Sequence, residues 1–119
     1  MANPNIANVA TINGNANGLA LTASLQAIVT NASSSSKIYK VHSLIVANTS
    51  STLGLVDAYV TLGSGNEFTL ASAIKVPANA TLVLISKEAP LYLIEDSKIE
   101  LRQGTGGNLE TVCSWDEIS

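Results

Sequence analysis

The chain has 119 residues, one domain's worth, and its composition of 46% hydrophobic, 4% aromatic and 13% charged residues leaves a surface dressed mostly in Ser, Thr and Asn. A net charge of −3 with six scattered basic residues (Lys37, Lys40, Lys75, Lys87, Lys98 and Arg102) argues against nucleic-acid binding, which needs several phosphate contacts at once. One cysteine excludes an internal disulfide, and no Cys/His spacing resembles a zinc site.

Residues 1–18 stand apart. Asn3, Asn5, Asn8, Asn13, Asn15 and Asn17 surround a short apolar set, Ile6, Val9 and Ile12, and this segment reads as an extended arm or a short edge strand with a turn. The remainder, 19–119, reads as a single domain. Leu19 to Thr30 alternates in a way that fits one half-buried strand, the serine-rich stretch 31–36 is a loop, and Lys37 to Ala47 is a β-branched run. After a polar break at 48–52, Val56, Ala58, Val60 and Leu62 share one face of a strand. Gly63 to Asn66 has hairpin-turn composition, and Phe68, Leu70, Ile74 and Val76 are expected to continue the inward face on the return strand.

Pro77 to Asn79 precede a strand over 80–86, and a short one follows at 91–94. Ile99 and Leu101 then oppose Lys98, Glu100 and Arg102, the sharpest inside/outside alternation in the chain. A turn at 104–108 leads into a last strand, 109–115. About eight short antiparallel strands with regular turn signals and no convincing helix predict an all-β fold, a β-sandwich or jelly roll with an extended N-terminal arm.

Chemistry-bearing motifs are sparse. The glycines of Gly63-Ser64-Gly65 and Gly104-Thr105-Gly106-Gly107 enter strands rather than helices, so they read as turns and not as phosphate cradles. His42, placed on the face of Ile38, Leu44 and Val46, has no convergent partner that would make it a base or ligand. Cys113 reads as a small buried hydrophobe. Trp115 is either a plug at the end of the core or an exposed platform for a sugar or an interface. Glu95 with Asp96, and Asp116 with Glu117, read as solvated ends. Three triplets beginning at Asn31, Asn48 and Asn79 match the glycosylation acceptor, as an Asn- and Ser-rich composition generates by chance. The N-terminus shows no signal-peptide pattern and no apolar run of membrane-spanning length, so a soluble protein made in a cytoplasm is expected.

The opening Met1-Ala2-Asn3-Pro4-Asn5-Ile6, the stretch 27–32 followed by Lys37-Ile38-Tyr39-Lys40-Val41, the segments 76–82 and 93–99, and the ending Ser114-Trp115-Asp116-Glu117-Ile118-Ser119 together resemble small virion structural proteins of tailed bacteriophages, notably those infecting marine cyanobacteria. The likeness runs nearly end to end and consists of turn and strand signatures. One turn departs from it: the family commonly has Glu-Gly-Asp-Ser, and Glu95-Asp96-Ser97 lacks the glycine that fills a left-handed position without strain.

The resemblance implies a particle component present in many copies, without enzymatic activity or cofactor. The leading expectation is a capsid decoration (cement) protein of the virion that binds the major capsid protein or other virion proteins and self-associates, without nucleic acid or membrane as partner. Asn3, Asn5, Ile6, Val9, Ile12 and Trp115 are its candidate interface residues. A neck, tail or baseplate component is the alternative within that class, and a receptor- or carbohydrate-binding module is the alternative outside it.

Overall fold

The fold is built on one pairing rule, visible in a computed structural model that describes residues 11–63 and 65–119. Nine strands are present among these residues: β1 (Ile12–Ala20), β2 (Gln26–Asn31), β3 (Ile38–Asn48), β4 (Gly54–Leu62), β5 (Asn66–Val76), β6 (Thr81–Ile85), β7 (Leu91–Leu93), β8 (Ser97–Gln103) and β9 (Leu109–Ile118). β4 pairs with β5, β3 with β6 and β7, β2 with β8, and β1 with β9, so each strand meets its mirror image about the β4–β5 turn. A long hairpin rolled up in this way gives a jelly roll, with one sheet ordered β1-β9-β3-β6 (β7 also on β3) and the other β2-β8-β4-β5. Every pairing is antiparallel, and the expected all-β sandwich is present with nine strands rather than about eight.

Strict alternation places the core. Val41, Leu44 and Val46 of β3, Val56, Ala58 and Val60 of β4, and Ile99 and Leu101 of β8 are buried between the sheets, and each has a polar or half-exposed neighbour in sequence. The inward face expected on β4 and β8 is therefore observed.

Several expectations need correction. The single strand expected over 19–30 is two, because β1 and β2 lie in different sheets and residues 21–25 carry the chain across, with Leu21 buried at the corner. Of the segment 1–18, expected as an extended arm or a short edge strand, residues 12–18 belong to the edge strand β1, which continues to Ala20, while residues 1–10, with Asn3, Asn5, Ile6 and Val9, lie outside the described residues.

On β5, Phe68, Leu70 and Ile74 are exposed at 56%, 37% and 39%, and only Ala71 and Val76 reach the core. Its pairing with β4 slips at two bulges, with Ala73 at φ +47°, so Ala71 takes the inward place expected of Leu70, while Phe68 and Ile74 lie opposite the buried Val60 and Val56 but are exposed because β5 is an edge strand. The last strand continues past Trp115 to Ile118, so Asp116 and Glu117 are strand residues, not a solvated end. In the turn Glu95-Asp96-Ser97, which has no glycine, Asp96 itself takes the left-handed conformation at φ +62°, which Asp tolerates better than most residues.

Candidate interaction surface

The two outer faces of the sandwich differ in kind. On the β2-β8-β4-β5 sheet, register brings Asp57 opposite Arg102, Tyr59 opposite Glu100 and Thr61 opposite Lys98. Arg102 Nε donates to Asp57 Oδ2 at 3.0 Å, the guanidinium lies 5.8 Å from the Tyr59 ring centroid, and Lys98 Nζ is 3.6 Å from Glu100. This face is wet and ion-paired.

The other sheet presents four cross-strand rows: Gly14, Asp116, Lys40 and Tyr92; then Ala16, Ser114 and Ser43; then Gly18, Val112, Ile45 and Val83; then Ala20, Glu110, Ala47 and Thr81. The first row carries Asp116 and Lys40, with His42 beside them, and in the other three only Glu110 is charged. Val112 is 46% exposed on the interior strand β9 and Val83 58% exposed on the edge strand β6, where an aliphatic side chain gains nothing from water. The β1 part of the face, Gly14, Ala16, Gly18 and Ala20, is made of small side chains and is flat. The sequence reading missed this surface. Its signal was in the alternation, since Val112 and Ile45 occupy outward positions between the buried Thr111 and Cys113 and the buried Leu44 and Val46.

One end of this sheet is held by Glu117. Its Oε2 accepts from Asn15 Nδ2 at 2.7 Å and from Trp115 Nε1 at 3.3 Å, and its Oε1 is 3.3 Å from Lys37 Nζ. A single carboxylate thereby fastens β1 and the entry to β3 onto β9. Burial pushes its pKa up, but the hydrogen bonds from Lys37, Asn15 and Trp115, with the Lys37 charge, outweigh this and hold it below the ordinary glutamate value. Trp115, 8% exposed, lies in the core and stacks on Tyr39 with centroids 6.1 Å apart. Ile12 is 59% exposed at the start of β1.

The remaining chemical candidates stay separate. A bulge between Val41 and Ser43 turns His42 out of the expected register with Leu44 and Val46, and its Nε2 is 3.8 Å from Asp116 with side-chain exposures of 35% and 36%. Cys113 is buried in β9, and burial pushes its thiol up to about 12, which suppresses thiolate chemistry. Among the described residues no three of His, Cys, Asp and Glu gather to hold a metal.

A cleft of about 330 Å³ at one end of the sandwich is lined by Thr30, Asn31, Thr61, Gly63, Asp96 and Lys98 among others, with no nucleophile–base pair among the described residues. Gly106 is a turn residue in the plain sense: its φ is +81°, and a Cβ there would stand 2.6 Å from the Leu53 carbonyl oxygen. Of the three triplet asparagines, Asn31 and Asn48 are buried with both amide hydrogens engaged on backbone carbonyls, so neither side chain is accessible.

No protein-family model and no curated relative matches the chain. Among solved structures it is similar to a chain of the T13 particle of IBDV, a viral particle of icosahedral lineage, with a TM-score of 0.51 and 10% identity over 92% of this chain and 31% of that one. Other similar chains come from Bacillus endospore appendages described as disulfide-linked pili (TM-score 0.47, 13% identity, 92% and 87% coverage) and from the Gx strain of infectious bursal disease virus (0.42, 14%, 90% and 30%). The chain thus spans about a third of the virus chains it resembles. At such identity the IBDV likeness is one of fold: a jelly-roll sandwich.

Proposed function

We propose that this chain is a non-enzymatic virion structural protein of the tailed-bacteriophage type, a capsid decoration (cement) protein that binds the outside of the head shell. The observation that carries this reading is the contrast between the two outer faces. A sandwich with one ion-paired face and one whose central rows, with Val112, Ile45 and Val83, hold Glu110 as their single charge, while Asp116, Lys40 and His42 rim one end, is suited to turning the first to water and the apolar centre of the second to a partner. Each copy bound to assembled shell but not to free subunits stabilises the lattice by mass action. The jelly roll, an architecture common among capsid domains, and the end-to-end likeness to phage virion proteins support the same class. Residues 1–10, with Asn3, Asn5, Ile6 and Val9, together with Ile12, act in this scheme as a strap onto a neighbouring subunit, and Trp115 backs the docking sheet from inside.

The test is a binding assay of the purified chain on heads that lack it, with copies located and counted by electron cryomicroscopy. Val112→Lys places an unpaired charge at the centre of the docking face and should lower occupancy roughly ten-fold or more, while the thermal midpoint of the free chain stays unchanged. Full occupancy by the variant would remove the docking face. Density at the neck, tail or baseplate would replace the decoration role with the alternative one, and glycan binding at the polar cleft would move the protein to the receptor-binding class.

A further inference from the structure

The free edge of β1 differs from the other edges of the sandwich. β2, β5 and β6 each carry a register shift, β5 also bears Glu67 and Lys75, and β7 is only 3 residues long; bulges, charges and shortness are the devices by which edge strands avoid pairing with other chains. β1 has none of these: its register with β9 runs unbroken from Ile12↔Ile118 to Ala20↔Glu110, and the strand contains no charge and no proline.

The direction of its backbone groups follows from the hydrogen bonds at its ends. Thr11 and Ser119 exchange both bonds, at 3.0 and 2.9 Å, and Leu21 N–H donates to Leu109 O at 2.9 Å, so the odd-numbered residues face β9. The N–H and C=O groups of Ile12, Gly14, Ala16, Gly18 and Ala20 point away from the sheet. Gly18 N–H confirms this, since it donates to the Asn17 side chain at 2.9 Å rather than to β9. Among the described residues no other strand pairs with this edge.

The sequence of that edge is a palindrome: Gly14-Asn15-Ala16-Asn17-Gly18 reads the same in both directions. We infer that β1 pairs with β1 of a second copy, antiparallel across a two-fold axis at Ala16. In this register Ala16 meets Ala16 of the second copy, Gly14 meets Gly18, Asn15 meets Asn17 and Ile12 meets Ala20. All the outward backbone groups find partners, and the Gly18 amide exchanges its side-chain acceptor for a main-chain one. Small side chains meet on the outer face, amides meet amides on the inner face, and no charges oppose one another. The interface is isologous, and it joins the outer faces of the two β1-β9-β3-β6 sheets into one continuous surface. The inference does not rest on the decoration reading, because it concerns the isolated chain in solution.

The test is size-exclusion chromatography with light scattering on the full chain over a concentration series, with two variants at the axis. Ala16→Pro removes an N–H that β9 does not use, and Ala16→Lys sets like charges face to face. The wild-type mass should double with concentration, both variants should remain monomeric with the wild-type circular dichroism, and Thr30→Lys on the β2 edge should dimerise like wild type. In Ala16→Cys, oxidation or a short bis-maleimide should cross-link the dimer through the introduced thiols, since Cys113 is buried.

A dimer that survives both axis variants would overturn the inference. So would a monomer at every concentration whose Ala16 amide is protected from hydrogen exchange, because residues 1–10 of the same chain would then occupy the edge. A monomer with that amide unprotected would overturn it equally.

Discussion

Asn48 shows how much of this fold hangs on single polar side chains. It is 2% exposed; its Nδ2 donates to Thr52 O at 2.7 Å and Val76 O at 3.0 Å, while its Oδ1 accepts from Ser50 N–H at 3.0 Å and Ser50 Oγ at 2.9 Å. It therefore ties the β3–β4 connection to the end of β5. Asn31 does the same at the other end of the molecule, donating to Lys37 O and Leu93 O at 2.9 and 3.0 Å. Truncating Asn48 to Ala leaves buried carbonyls without donors, so Asn48→Ala should cost about 2–4 kcal/mol in urea unfolding with an unchanged m-value. A loss under about 0.5 kcal/mol, the range of ordinary surface substitutions, would mean that water replaces the amide. Neither role was legible in the sequence. Composition marks an Asn-rich loop, but nothing local says which asparagine turns inward, and these two were read as members of chance glycosylation triplets.

At the scale of the strand, legibility followed position in the sheet. β4 and β8 are interior strands with one face on the core, so their period-two patterns gave the correct inward residues. β5 is an edge, and there the pattern misled. Ala73 N–H donates to Asp57 Oδ1 at 2.6 Å, which stabilises a bulge with Ala73 in the left-handed region; the two register shifts put Ala71 rather than Leu70 opposite Ala58, while Phe68 and Ile74, opposite the buried Val60 and Val56, keep the core side but stand exposed at the edge of the sheet. A bulge adds a residue without changing composition, so hydrophobic periodicity does not announce it. The left-handed conformation costs a non-glycine residue about 1–2 kcal/mol, more than the extra chain entropy of glycine. Ala73→Gly should therefore stabilise the protein by about 0.5–1 kcal/mol in denaturant unfolding. Destabilisation would show that the Ala73 methyl contributes packing that outweighs the backbone term.

For the whole molecule, scarcity of charge makes the acid response attributable. With nine acidic and six basic side chains spread over 119 residues, general repulsion builds slowly as pH falls, and the dependence of stability on pH rests on the few carboxylates whose pKa changes on folding. Among the described residues Asp57 and Glu117 are displaced downward. For Asp57 the Ala73 N–H is the main cause, with burial opposing it and Arg102 adding to it. For Glu117 the hydrogen bonds and charge of Lys37, with Asn15 and Trp115, overcome burial. A carboxylate depressed in the folded state contributes stability that is fully present above its unfolded value, near 3.8 for Asp57 and 4.5 for Glu117, and is lost as pH falls through the folded value. Stability should accordingly be flat through neutral pH and decline only below about pH 4.5, where each group starts to bind a proton more readily unfolded than folded. Asp57→Asn and Glu117→Gln should each lower stability at pH 7 and flatten that acid limb, and together they should flatten it further, because the two sites lie on different sheets and share no partner. Chemical denaturation at a series of pH values measures the limb directly. A double variant that kept the full wild-type decline would place the acid sensitivity in other carboxylates and would take from Glu117 its part in fastening β1, the strand on which the pairing edge depends.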